Sequence, residues 1–235
     1  MKSDQSRSAR AFPAFFGVLA VLGLAAHSGY SAPPKKAQIP KEISGDFTYA
    51  DHIKTNIENE RIEDDNKIVV EIDLTLSVVD PFGEAALYFM DNAGFSAQGK
   101  ETVVSESAGC VSTLTRTRSG GGLMDPPSPD PYAPAPNPAT LTWFIKDKKF
   151  AMHFQTPIQK GHVTQTSHST CSTSPSEPVT SEYVWTCDLE GAVDYNPKTR
   201  TYRFVFLDKY QVPYRELKDL KCNVFVIGEL SGKVR

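Results

Sequence analysis

Cysteine is scarce in this sequence: there are 4 among 235 residues, and none precedes Cys110. With no cysteine directly behind the apolar N-terminal run, an acyl-anchored lipoprotein is excluded. Long hydrophobic runs are equally scarce. The longest, Ala11 to Ala26, falls short of the roughly 20 apolar residues that a membrane-spanning helix needs. There is no block of one charge either. The 25 Lys+Arg and 28 Asp+Glu are spread along the chain, so the clustered basic footprint of a nucleic-acid binder is missing. None of the asparagines opens an N-x-[ST] acceptor site, which leans towards a bacterial periplasm over a glycosylating secretory route. The G-x-S-x-G, H-E-x-x-H, G-x-x-x-x-G-K-[ST] and EF-hand patterns are all absent. The commonest signatures of serine, zinc, nucleotide and calcium chemistry are therefore not present.

What is present begins with export. Lys2, Arg7 and Arg10 make a basic start, the apolar run follows, and small residues (HSGYSA) close it. This order predicts a secretory signal peptide over residues 1–32, cleaved between about 26 and 32. Its loss leaves 22 basic and 27 acidic residues, net −5, and no integral membrane span. Residues 33–42, APPKKAQIPK, read as a flexible leader, and order is expected from Ile43.

The remainder, 43–235, has the period of β-structure. In KIVVEIDLTLSVV, Ile68, Val70, Ile72, Leu74, Leu76 and Val78 alternate with Glu71, Asp73, Thr75 and Ser77. That is a strand with one apolar and one wet face. At ~3.4 Å per residue the run spans roughly 40 Å, which predicts a bend or bulge. FTYADHIKTNI places Phe47, Tyr49, Ile53 and Ile57 on one face, and the acidic ENERIEDDN between the two runs reads as a solvated hairpin loop. EAALYFMD fits a two-turn helix closed by Gly94 or a strand, and its strand neighbours favour the strand. Trp143, Phe150, Met152 and Phe154 are core candidates on a second hairpin. Tyr202, Phe204 and Phe206 line a third, turned at Asn196-Pro197. RELKDLK, 215–221, reads as one helical turn before a last strand. The seven prolines of 126–138 mark a loop or polyproline excursion over about 120–139. Many strands with short turns and no ordinary amphipathic helix give an all-β fold, an antiparallel β-sandwich or barrel-like single domain with a long proline-rich loop.

The densest chemistry lies in GHVTQTSHSTCSTS, 161–174. His162 and His168 are weak candidates for a metal site. They share a strand face, but lie ~20 Å apart at strand rise. One metal ion with ~2 Å bonds would need a bend, or a ligand such as His153 from another strand. The stretch reads better as a hydroxyl-rich strand entering a disulfide. ENERIEDDN could hold Ca²⁺ only loosely. Tyr132, Tyr183, Trp185 and Tyr195 are candidates for a glycan platform, with core packing the default for Trp185 and Tyr183.

Four cysteines in an oxidising compartment predict two disulfides. The expected pairs are Cys171–Cys187 about a turn-rich stretch and Cys110–Cys222 across the domain. No catalytic residue and no cofactor is assigned. The expectation is a secreted or periplasmic disulfide-containing β-domain, non-catalytic, acting as a binding or structural/interaction module for an unknown protein or glycan. The alternative is a glycan-acting or metal-dependent extracytoplasmic enzyme, since any two carboxylates brought ~5–9 Å apart would serve glycoside hydrolysis.

Overall fold

A computed structural model describes residues 38–124, 138–172, 177–214 and 217–234, with the side chains of 217–219 left out. The signal-peptide expectation, Tyr132 and all but the last proline of the proline-rich loop lie outside the described residues.

Twelve antiparallel strands follow in chain order: β1 Glu42–Ile57, β2 Glu60–Val79, β3 Ala85–Ser107, β4 Cys110–Met124, β5 Ala139–Phe144, β6 Lys149–Gln155, β7 Gly161–Ser169, β8 Val179–Glu182, β9 Thr186–Asn196, β10 Thr201–Phe206, β11 Lys209–Tyr214 and β12 Leu217–Lys233. The hydrogen-bonded order β2-β1-β12-β10-β9-β6-β5-β3 closes on itself through a β2–β3 ladder. The fold is thus an antiparallel barrel of eight strands with strands added outside it, and not a sandwich.

An eight-stranded barrel is just wide enough for side chains to fill its interior, and here aromatic side chains do so. Phe47, Phe150, Phe154 and Phe204 are essentially buried. Phe204 meets Tyr88, Trp143 and Phe150 edge to face at centroid distances of 6.5, 5.6 and 5.6 Å. Ile68, Val70, Ile72 and Leu74 point inward as their period requires. The ladder to β3 shifts register at Asp73/Leu74 and again at Leu76/Val78. The second shift turns Val78 outward, where it is 52 % exposed. The outer wall carries exposed Asp46, Lys67, Glu71 and Asp73. Exposed Val69, Phe89, Phe144 and Ile227 stand on strands of the same barrel, so charges interrupt the continuous apolar belt that a lipid-facing barrel carries. No helix among the described residues is long and apolar enough to cross a membrane.

Two long strands change partners along their length, which lets the sheet leave the barrel. β3 pairs with β5 over Ala85–Phe89 and with β4 from Ala93 onwards. β12 pairs with β10 near its end and with β11 near its start. Beyond these forks the sheet continues as an open flap, β4-β7-β8.

Several expectations are corrected. The leader is packed from Ile39: Pro40 is buried and its carbonyl accepts the Tyr88 hydroxyl at 3.0 Å. ENERIEDDN is mostly β2, turning only at Glu58-Asn59. Residues 217–221 are strand and not a helical turn, because β12 pairs there with β11. Gly120–Met124 belong to β4 and not to the proline-rich loop. They pair with Ala93–Ala97, and Met124 is buried.

The cysteine pairing also differs. Cys110 bonds Cys171, with Cα atoms 5.6 Å apart, while Cys187 and Cys222 carry buried thiols. The reason is register. β4 and β7 pair with Ser112 opposite Ser169, so the two cysteines meet at the end of the same ladder. Cys187 instead faces the barrel core opposite Phe154, and Cys222 joins a small apolar cluster with Ile53, Ile62 and Tyr214. Burial raises both thiol pKa values, that of Cys222 to about 12. Little reactive thiolate then exists at neutral pH.

Candidate functional site

The barrel seam opens on one side. β9 pairs with β10 only over Gly191–Asn196. Beyond Phe206 the chain continues as β11, which stays on β12 and parts from β9. The gap is a cleft of about 530 Å³, lined by Thr140, His153, Asp188 and Glu190 on one side and by Tyr210 and Gln211 on the other.

Strand periodicity puts the polar groups there. Met152, Phe154, Cys187 and Leu189 point into the core, so His153, Asp188 and Glu190 must point out. His153 lies directly opposite both Asp188 and Thr140 in the ladders. Its Nδ1 is 2.7 Å from Asp188 Oδ1. The Tyr210 hydroxyl donates to the Asp188 carbonyl oxygen at 2.8 Å and holds β11 across the gap. Burial above all, with the nearby carboxylates of Asp188 and Glu190 adding to it, raises the Tyr210 pKa, which keeps the phenol a neutral donor. Asp188 and Glu190 are two residues apart on one strand face, ~7 Å at the Cα atoms.

The hydrogen bond to Asp188 raises His153 above its ordinary 6.5, and the same bond holds Asp188 below its ordinary 3.8. The histidine's share of the stabilisation is complete below 6.5 and is lost as pH rises through its folded pKa. The aspartate's share is present above 3.8 and is lost as pH falls through its depressed value. The pair therefore contributes most between 3.8 and 6.5. With side chains 42 % and 84 % exposed, that contribution is at most about 0.5 kcal/mol. Titrating the imidazole by NMR should give a pKa above 6.5, and Asp188→Asn should bring it back down. An unchanged value in the variant would break the assignment.

A second polar site lies beside the flap, where β1–β4 carry one inward row of charged residues. Asp64 and Glu101 face each other across β2 and β3, and Arg116 faces Glu101 from β4. Asp64, Glu101 and Arg118 are almost fully buried. Arg118 Nη1 donates to Asp64 Oδ1 at 2.6 Å and Nη2 to Glu101 Oε2 at 2.9 Å. The Tyr214 hydroxyl lies 3.0 Å from Asp64 Oδ2 and 3.3 Å from Glu101 Oε1. Asn66 bridges Asp51 and Arg118 at 2.8 and 2.9 Å. Tyr183, in the chain crossing back from β8 to β9, covers Arg118 at 5.1 Å. Burial opposes the charge on Arg118, but the bond to Asp64 and the nearby negative groups outweigh it, so its pKa rises. Burial raises Asp51.

Gly99 is what lets Asn66 cross β3. A Cβ there would lie 2.2 Å from Asn66 Oδ1. Gly99→Ala should push Asn66 off Arg118 and lower stability by about 1–3 kcal/mol in a urea melt. A change under about 0.5 kcal/mol would show that Asn66 is dispensable to the network.

The residues singled out from sequence fall elsewhere. His162 and His168 are exposed on β7, and His153 is on β6, which is no neighbour of β7 in the sheet. Among the described residues no three of His, Cys, Asp and Glu are grouped to hold a metal. ENERIEDDN cannot gather its acids, because the strand period divides them. Asp64 turns inward to Arg118, while Glu63 and Asp65 turn out to Lys54 and His52. Of the described platform candidates only Tyr183 and Trp185 meet, at 4.6 Å between ring centroids. Trp185 is buried, Tyr183 stacks on Arg118, and Tyr195 packs on Tyr202 at 4.5 Å on another hairpin.

Neither polar site is among the sequence expectations, although the sequence carries a signal for the network around Arg118. Carrying the inward parity of Ile68 and Val70 back along β2 reaches Asn66 and then Asp64. Nothing comparable marks the cleft, which depends on where β11 leaves the wall. No protein-family model matches this sequence, and no curated protein matches it.

Proposed function

We propose that this chain is an extracytoplasmic, non-catalytic binding module, secreted or periplasmic, and that a short neutral glycan occupies the cleft between β9 and β11. One observation carries the reading: two carboxylates, an imidazole, an amide and a phenol converge in an open cleft of a barrel whose interior is filled with side chains. Carboxylates and amides make the paired hydrogen bonds that sugar hydroxyls use, and exposed Leu207 beside them offers an apolar surface to a sugar face. Asp188 and Glu190 outnumber His153 in charge, which disfavours an anionic ligand. The disulfide supports an oxidising compartment.

The same two carboxylates favour a second reading, glycoside hydrolysis, since they project from one face of β9 into one cleft, and that chemistry uses a pair of carboxyl groups. A panel of neutral tetrasaccharides, followed by calorimetry and by product analysis, decides between them. Binding without products, lost in Glu190→Gln and His153→Ala at unchanged melting temperature, supports the module. Products that vanish in Glu190→Gln support the enzyme, and no binding at all overturns both.

A further inference from the structure

We infer that the concave face of the flap is a second ligand site, for a small aliphatic carboxylate seated between Arg116 and β8. A groove of about 400 Å³ lies there, lined by Arg116, Arg118 and the Glu101 that they hold, by Val163 and Gln165 of β7, by Val179 and Ser181 of β8, and by Tyr183.

Its hydrogen-bonding groups have their acceptors committed and their donors to spare. Arg116 donates Nε to Gln165 Oε1 at 2.9 Å and Nη1 to Glu101 Oε2 at 2.8 Å. Those bonds fix the plane of the guanidinium and leave Nη2 without a protein partner among the described residues, on a side chain 31 % exposed. The bond from Arg116 occupies the Gln165 carbonyl, so that side chain offers its amide N–H₂ to the groove. Ser181 adds a hydroxyl. Arg118, in the same wall, is 4 % exposed and its Nε–H has no acceptor among the described residues. A buried donor without an acceptor is rare and points to a missing partner.

Four donors, with the Ser181 hydroxyl oxygen as the remaining acceptor and no uncommitted carboxylate, favour a ligand rich in acceptors. Arg116 and Arg118 balance Asp64 and Glu101, and Asp51 is held by Asn66, so a ligand carboxylate meets the pre-oriented guanidinium of Arg116, the geometry in which charge-assisted bonds are strong. The rest of the groove is aliphatic. Val163 is half-buried and Val179 is 63 % exposed, both on the inner face of β7 and β8. An apolar tail on the carboxylate would cover them.

The test is a titration with sodium hexanoate followed by amide NMR, with 1-hexanol as the tail without the charge. Saturable shifts are expected at Val163, Gln165, Val179 and Ser181 with hexanoate, and none with 1-hexanol. Arg116→Gln should weaken binding roughly tenfold or more. Because that change also disturbs Glu101, Val179→Asp is the second variant. It sits on an exposed side chain, leaves the network alone and puts a negative charge beside the ligand, so it should abolish binding with the melting temperature unchanged. Equal shifts with 1-hexanol, shifts scattered outside the groove, or hexanoate binding that survives Val179→Asp would overturn the assignment.

Discussion

Replacing Arg118 by alanine should lower the free energy of unfolding by about 3–5 kcal/mol, the usual effect of removing one partner from a buried ion pair. The effect follows from what remains. Asp64 and Glu101 would stay buried, 3 % and 1 % exposed, with their main counter-charge gone. Tyr214 can offer one proton to only one of them, and Arg116 reaches Glu101 alone. Lysine should not rescue the loss. A single ammonium cannot span Asp64, Glu101 and Asn66 as the guanidinium does, nor stack as well on Tyr183. Urea unfolding of the wild type, Arg118→Ala and Arg118→Lys gives the comparison. A loss under about 1 kcal/mol would mean that water enters the flap and hydrates the two acids.

Breaking the Cys110–Cys171 bond should have the next largest effect. The bond closes a separation of 61 residues, and the chain-entropy relation gives about 4 kcal/mol for a loop of that size. The loop contains β4, β5, β6 and β7, which belong to both the flap and the barrel, so the unfolded chain is constrained across both. The native change should be local. Thr170 N–H donates to the Val111 carbonyl at 2.9 Å and its hydroxyl accepts from Val111 N–H at 2.9 Å, so the ladder end keeps two bonds when the sulfurs part. A double Cys110→Ser, Cys171→Ser variant should therefore lose about 4 kcal/mol globally, with amide exchange rising first at the β4–β7 end. Uniform exchange rates with no loss of stability would show that the bond restrains little in the unfolded chain.

The legible part of the fold was the part that depends on neighbours two residues apart. Ile68, Val70, Ile72, Leu74, Trp143, Phe150, Met152, Phe154 and Phe204 read as core from the sequence and are buried, because alternation in a strand is local geometry. The same rule applied to Asp64 and Arg118 would have placed them inside. They were passed over because a charge in an inward position makes sense only when its partner is known. Asp64 and Arg118 are 54 residues apart in sequence, and no local pattern joins them. Cys171 misled for the same reason. Its nearest cysteine along the chain, Cys187, faces a different sheet partner, and the true bond to Cys110 needs the β4–β7 register.

Alternation and hydrophobic burial act residue by residue, so the antiparallel β-architecture, its filled apolar interior and its largely polar exterior are legible along the chain. Only the tertiary structure decided the closure into a barrel, the disulfide, the buried charge network, the β9–β11 cleft and the flap groove. Each of those depends on which strand lies beside which. That choice is made where β3 and β12 change partners, by the summed packing of the whole sheet and not by any short stretch of it.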